Sequence, residues 1–185
     1  MKQNTAMENL NKAFELFEKY DETTYEKEVV TDDFIQKVEQ AFEFKIPSTY
    51  RLFLKKYGGY NFFATDFLGV SPEAIQKNAN YCDVSTWCDA FKITRDNRND
   101  YQLPSKYIIV GNSGYGPLDA IDTSKPDEHG ECPVVMIDGP YKNPDTGEKK
   151  EWYEMEQMAP DFGTYLYNQS KATLQNAIDS GEVEA

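Results

Sequence analysis

The sequence predicts an α+β domain in which a mainly antiparallel or mixed sheet is wrapped by helices. Three observations carry this expectation. Helix-period patterns open the chain, short apolar runs joined by hairpin-length loops follow, and a helix pattern closes it. Strictly alternating strand–helix units are missing, which argues against a Rossmann or barrel fold. At 185 residues a single domain is the simplest arrangement, and it is large enough to bury a core without staples.

The elements follow in order. Residues 7–20 are amphipathic, with Leu10, Phe14, Leu16 and Phe17 near one side. A polar connector over residues 21–28 leads to a short strand expected near Val29. Thr31 or Asp32 caps a second helix through Phe44, with Ile35, Val38 and Phe42 on one face. Pro47 suits a first helical position. Tyr50, Phe53, Leu54 and Tyr57 then make a full apolar stripe that Gly58-Gly59 terminates. Phe62 to Val70 reads as a strand or strand pair, and Ser71-Pro72-Glu73 starts a short helix. Residues 78–106 are mixed and polar, a partly helical excursion. Tyr107–Val110, Leu118–Asp122 and Val134–Asp138 are strand candidates. A turn at Asn143–Gly147 returns the chain into a last strand around Trp152–Met155. Pro160 and Asp161 open the final helix, with Phe162, Tyr165 and Leu166 facing inward.

Composition limits the function. Aromatic residues make up 14% of the chain, which argues against global disorder. No apolar run approaches the roughly 20 residues that span a bilayer. The amino terminus lacks the apolar segment of a signal peptide, so a cytosolic protein is expected. Cys82, Cys88 and Cys132 have no metal-binding spacing, and one histidine adds little to a ligand set. Free structural thiols are expected, with no metal and no cofactor. The net charge is -13, and it is unevenly placed. Residues 1–60 hold 9 basic and 11 acidic side chains, whereas residues 61–185 hold 10 and 21. Nucleic acid and anionic membranes are therefore poor partners. A basic protein partner is favoured, because complementary fields steer encounter.

The segments that look catalytic lack what their chemistry needs. Gly111-Asn-Ser113-Gly-Tyr115 resembles a nucleophile elbow, but Tyr115 stands where the sharp turn needs a small residue. Pro117 then leads into another strand rather than a helix. A triad of Ser113, Asp122 and His129 has the chain order Ser, Asp, His and nothing else in its favour. Gly111, Gly114 and Gly116 fit neither a dinucleotide nor a Walker pattern. Asp119, Asp122, Asp127, Glu128 and Glu131 lack the spacing of a calcium loop.

Four blocks of the chain resemble the SUKH superfamily. Ile46-Pro-Ser-Thr-Tyr-Arg-Leu-Phe-Leu-Lys-Lys-Tyr-Gly-Gly59 is similar to its signature helix. The strand, glycine turn and strand of Ile108–Asp122 resemble its second block. Glu131-Cys-Pro-Val-Val-Met-Ile-Asp138 resembles the third, and Phe162-Gly-Thr-Tyr-Leu166 the last, although Gly163 is unusual inside a helix. The resemblance spans residues 31–170, leaving 1–30 as an N-terminal helical extension and 171–185 as the end of a helix and an acidic tail. It implies a sheet wrapped by helices. It also implies a non-enzymatic protein: bacterial members are largely immunity proteins that neutralise a toxin from the same genomic neighbourhood, often a nuclease. Fungal relatives are regulatory scaffolds in cell-wall synthesis.

The expected function is that of an antitoxin whose acidic surface occludes a cognate basic toxin. A regulatory scaffold for a host protein is the alternative, and a hydrolase centred on Ser113 a remote one. The residues expected to meet the partner are Asp66, Asp83, Trp87, Asp89, Tyr115, Asp119 and Glu131, as a charged rim with aromatic anchors.

Overall fold

The apolar stripe that ends at Gly58-Gly59 is the spine of the fold. A computed structural model describes residues 5–20, 30–63, 65–84, 89–112, 116–142 and 149–183. Three helices come first: α1 (Thr5–Tyr20), α2 (Asp32–Phe42) and α3 (Ser48–Tyr57). A short hairpin follows, β1 (Tyr60–Phe62) and β2 (Thr65–Phe67), then the helices α4 (Pro72–Gln76) and α5 (Ala90–Tyr101). The chain continues through β3 (Tyr107–Asn112), β4 (Leu118–Asp122), β5 (Val134–Asp138), the small ladder β6 (Tyr141–Lys142) and β7 (Lys149–Lys150), and β8 (Tyr153–Ala159). It closes with α6 (Phe162–Asp179). Six strands form one antiparallel sheet in the order β1-β2-β3-β4-β5-β8. The expected α+β class is the one observed. No helix among the described residues is long and apolar enough to cross a membrane.

Local chemistry sets the helix ends. The Thr31 hydroxyl accepts from the Phe34 N–H at 3.2 Å, and Asp32 and Asp33 fill the first turn of α2 beside its positive pole. Asp161 caps α6 through both carboxylate oxygens, taking the Thr164 N–H at 2.7 Å and its hydroxyl at 2.9 Å. Pro47 is the N-cap of α3 rather than its first residue, and it has no side chain to offer the exposed N–H groups. Glu131 supplies that cap from the β4–β5 loop, accepting from the Thr49 N–H at 3.1 Å and the Thr49 hydroxyl at 2.6 Å.

The core is aromatic. Phe162 of α6 sits 4.6 Å from the Tyr50 ring and 5.4 Å from the Phe53 ring of α3. Phe17 of α1 lies 4.2 Å from Tyr60, so the segment expected as an extension joins the same core. Two close backbone approaches need glycine. A Cβ on Gly69 would stand 1.6 Å from the Gly58 carbonyl oxygen, where the chain leaving β2 crosses the end of α3. A Cβ on Gly163 would stand 2.1 Å from the Ala6 carbonyl oxygen, which accounts for a glycine in the first turn of α6. The strand expected near Val29 and the turn at 143–147 lie outside the described residues.

The polar excursion contains a full helix, α5, and its role is to finish the sheet. Strand β2 reaches β3 only at Gly111, which leaves the start of β3 without a strand on that side. There the Thr94 hydroxyl accepts from the Ile109 N–H at 2.9 Å, and Arg98 donates to the Tyr107 carbonyl at 3.2 Å. Helix side chains thus satisfy backbone groups that would otherwise be buried without partners.

Candidate functional site

Where α5 meets the ends of β4 and β5, the sheet is left partly uncovered. A cleft of about 240 Å³ opens there. Ile93 and Asn97 of α5 form one wall, Leu118 and Ile137 the sheet floor, and Trp152 the far side. Trp152 is half-buried, and its indole N–H donates to the Tyr101 carbonyl at 2.7 Å, which fixes the ring against the end of α5. Asn112 and Gly116 also line the cleft and flank residues 113–115.

The acidic surface adjoins this cleft through β8. That strand ends the sheet, so one of its backbone edges carries no strand among the described residues. Glu154, Met155, Glu156 and Gln157 are exposed along it, Met155 at 48%. Glu151 is exposed just before it. Glu154 belongs to an ion cluster: Lys106 lies 2.9 Å away, Lys125 3.0 Å, and the Tyr107 hydroxyl donates at 2.8 Å. Those bonds hold the Glu154 carboxyl below its ordinary range. Buried Asp122 completes the cluster, with Lys106 at 3.1 Å and Lys125 at 3.0 Å. Burial opposes its charge, but the Ser124 hydroxyl and the two ammonium groups outweigh it and hold the carboxyl well below the carboxylate range.

The expected partner-facing residues separate into distinct groups. Asp66 is exposed on β2 and accepts from Asn61 at 2.6 Å, and Asp83 is exposed in a turn, accepting from Asn80 at 2.6 Å. Asp89 and Glu131 do not present charge to solvent. Asp89 is fully buried as the N-cap of α5, accepting from the N–H groups of Phe91, Lys92 and Ser71. Glu131 is 1% exposed beneath Thr49. Burial raises both carboxyls, against the pull of those hydrogen bonds. Asp119 is half-buried under α6 and accepts from the Tyr165 hydroxyl at 2.7 Å; burial raises it too. Trp87 and Tyr115 lie outside the described residues, as does Ser113. Trp152 and the β8 edge were not among the expected contacts. The run Glu154-Met-Glu-Gln157 was their signal, because an exposed edge strand loses apolar alternation.

Asp122 and His129 of the remote triad have other partners. Asp122 is committed to Ser124 and the two lysines, and the His129 ring approaches Glu128 at 3.7 Å. Among the described residues no group of three or more His, Cys, Asp or Glu side chains could hold a metal ion. Cys132 is buried, with its thiol pushed up to about 11 by burial and by the charge of Glu131.

The SUKH_6 family, described as SMI1-KNR4 cell-wall, matches residues 32–166. The chain belongs to this family. The match begins at the first residue of α2 and ends within α6, so it contains the sheet, the cleft and the ion cluster of this SUKH domain. No curated protein matches the chain.

Proposed function

We propose that this SUKH protein is a cytosolic immunity protein that binds a cognate toxin with a basic surface and blocks it stoichiometrically, without catalysis. The observation that carries the reading is the open β8 edge, along which Glu154 and Glu156 are exposed, with exposed Glu151 just before it and a cleft holding a fixed tryptophan at its start. A nuclease fits as the toxin, because its phosphate-binding groups are basic and an acidic edge competes for them. Asp66 and Asp83 extend the acidic surface, while Asp89, Asp119 and Glu131 act indirectly by holding the frame.

The test is co-expression with the toxin encoded beside this chain. Growth should be rescued, and the purified complex should weaken as salt is raised. A Glu151→Lys, Glu156→Lys double variant should bind at least about tenfold more weakly while folding normally, because rim charges govern encounter. Absence of both rescue and complex overturns the proposal. The family description, with its reference to the cell wall, supports a scaffold for a host protein as the second reading. Co-purification of a housekeeping protein in place of a toxin would select it.

A further inference from the structure

A second cleft, of about 350 Å³, lies on the opposite face of α5. Ala41 and Phe42 at the end of α2 form one wall, and the turn containing Tyr81 forms another. Arg95 and Arg98 line it from α5. Two donors there are buried without a hydrogen-bond partner among the described residues: Arg95 Nη1 and Arg98 Nε. Polar groups left in that state are rare, because each loses its water and gains nothing in return.

The two arginines differ. Arg98 is partly committed to the frame, donating to the carbonyls of Phe42, Ser105 and Tyr107 and lying 5.2 Å from the Phe42 ring centroid. Burial lowers its pKa, and Glu43 acts on it as a nearby charge. Arg95 has no hydrogen bond or ion pair among the described residues. It is only half-buried, so part of the side chain faces solvent at the cleft. This chain carries 32 acidic side chains, yet none among the described residues pairs with either guanidinium at ion-pair distance.

We propose that this cleft binds the carboxylate of a small planar organic acid. Guanidinium groups recognise carboxylates in bidentate fashion. The volume falls in the range of small-molecule sites. The Phe42 and Tyr81 rings, edge-on at 5.7 Å, offer an apolar wall for a flat body. A phosphate dianion shares the bidentate fit to guanidinium but has no flat body to lay against the apolar wall.

The experiment titrates benzoate, acetate and inorganic phosphate separately into the full chain, followed by amide shifts of Ala79, Tyr81 and Asn99. Benzoate should saturate those shifts and bind at least about fivefold more tightly than acetate, since the ring adds apolar burial. Arg95→Gln should weaken benzoate by about tenfold or more while leaving circular dichroism and Tm intact, because Arg95 holds nothing in the frame. No saturation with benzoate, equal binding by the Arg95→Gln chain, or preference for phosphate overturns the proposal. Toxin rescue is independent of each outcome.

Discussion

Gly69 and the buried carboxylates show how single residues set the terms of this fold. An alanine at 69 collides with backbone, not with a flexible side chain, so nothing can rotate aside. Gly69→Ala should cost about 3 kcal/mol in urea unfolding, the upper part of the overpacking range. The two acidic neighbours on β4 should respond oppositely to pH. The Asp122 carboxyl is held low, so its stabilisation is complete above the unfolded value near 3.8 and is lost as pH falls through the folded one. Asp122→Asn should therefore lose stability at pH 7 and show a shallower acid transition than the parent. The Asp119 carboxyl is raised, so the stability linked to its proton is present below about 3.8 and lost as pH rises through the folded value. Asp119→Asn keeps an acceptor for Tyr165 and removes a half-buried charge. It should be neutral or stabilising by up to about 1 kcal/mol at pH 7, with no gain at pH 3. Unfolding curves at the two pH values check both.

Helix α5 is the element whose role most exceeds its sequence signal. Only Ala90, Phe91 and Thr94 of its 12 residues are buried, so no apolar stripe announces it. Its work is done by Thr94 and Arg98 on the backbone of β3, and hydropathy does not register a hydroxyl that substitutes for a strand. Thr94→Val keeps the shape and leaves the Ile109 N–H unpaired. A loss of about 1–3 kcal/mol is expected, with hydrogen exchange at Ile109 accelerated before that of β4. By contrast α3 was legible from four aromatic and leucine positions and a glycine stop, and α6 from Asp161 and its inward face. Strand β8 was recognised at its start but ran on to Ala159, because Glu154–Gln157 face solvent and hide the period. Glu131 was read as a surface charge because nothing local says that Pro47 leaves α3 uncapped. Only the tertiary fold brings that loop to the helix end.

At the scale of the molecule, acidity and architecture divide the labour. The net charge of -13 was visible at once, as was its concentration after residue 60, but not which carboxylates reach solvent. Several are spent on caps, and three of the outward ones, Glu151, Glu154 and Glu156, lie where the sheet stops at β8. The packing of α6 against α1 and α3 has a temporal consequence. Phe162 packs on both Tyr50 and Phe53, so the core of the first half is organised around a side chain synthesised after every strand of the sheet. A chain truncated at residue 160 should lack cooperative unfolding, although it retains β1–β8. Assembly is thus postponed until strands β1–β8 and α6 have been synthesised. The domain is therefore all or nothing in time: until α6 has left the ribosome, the earlier helices and the sheet have no completed core to fold around.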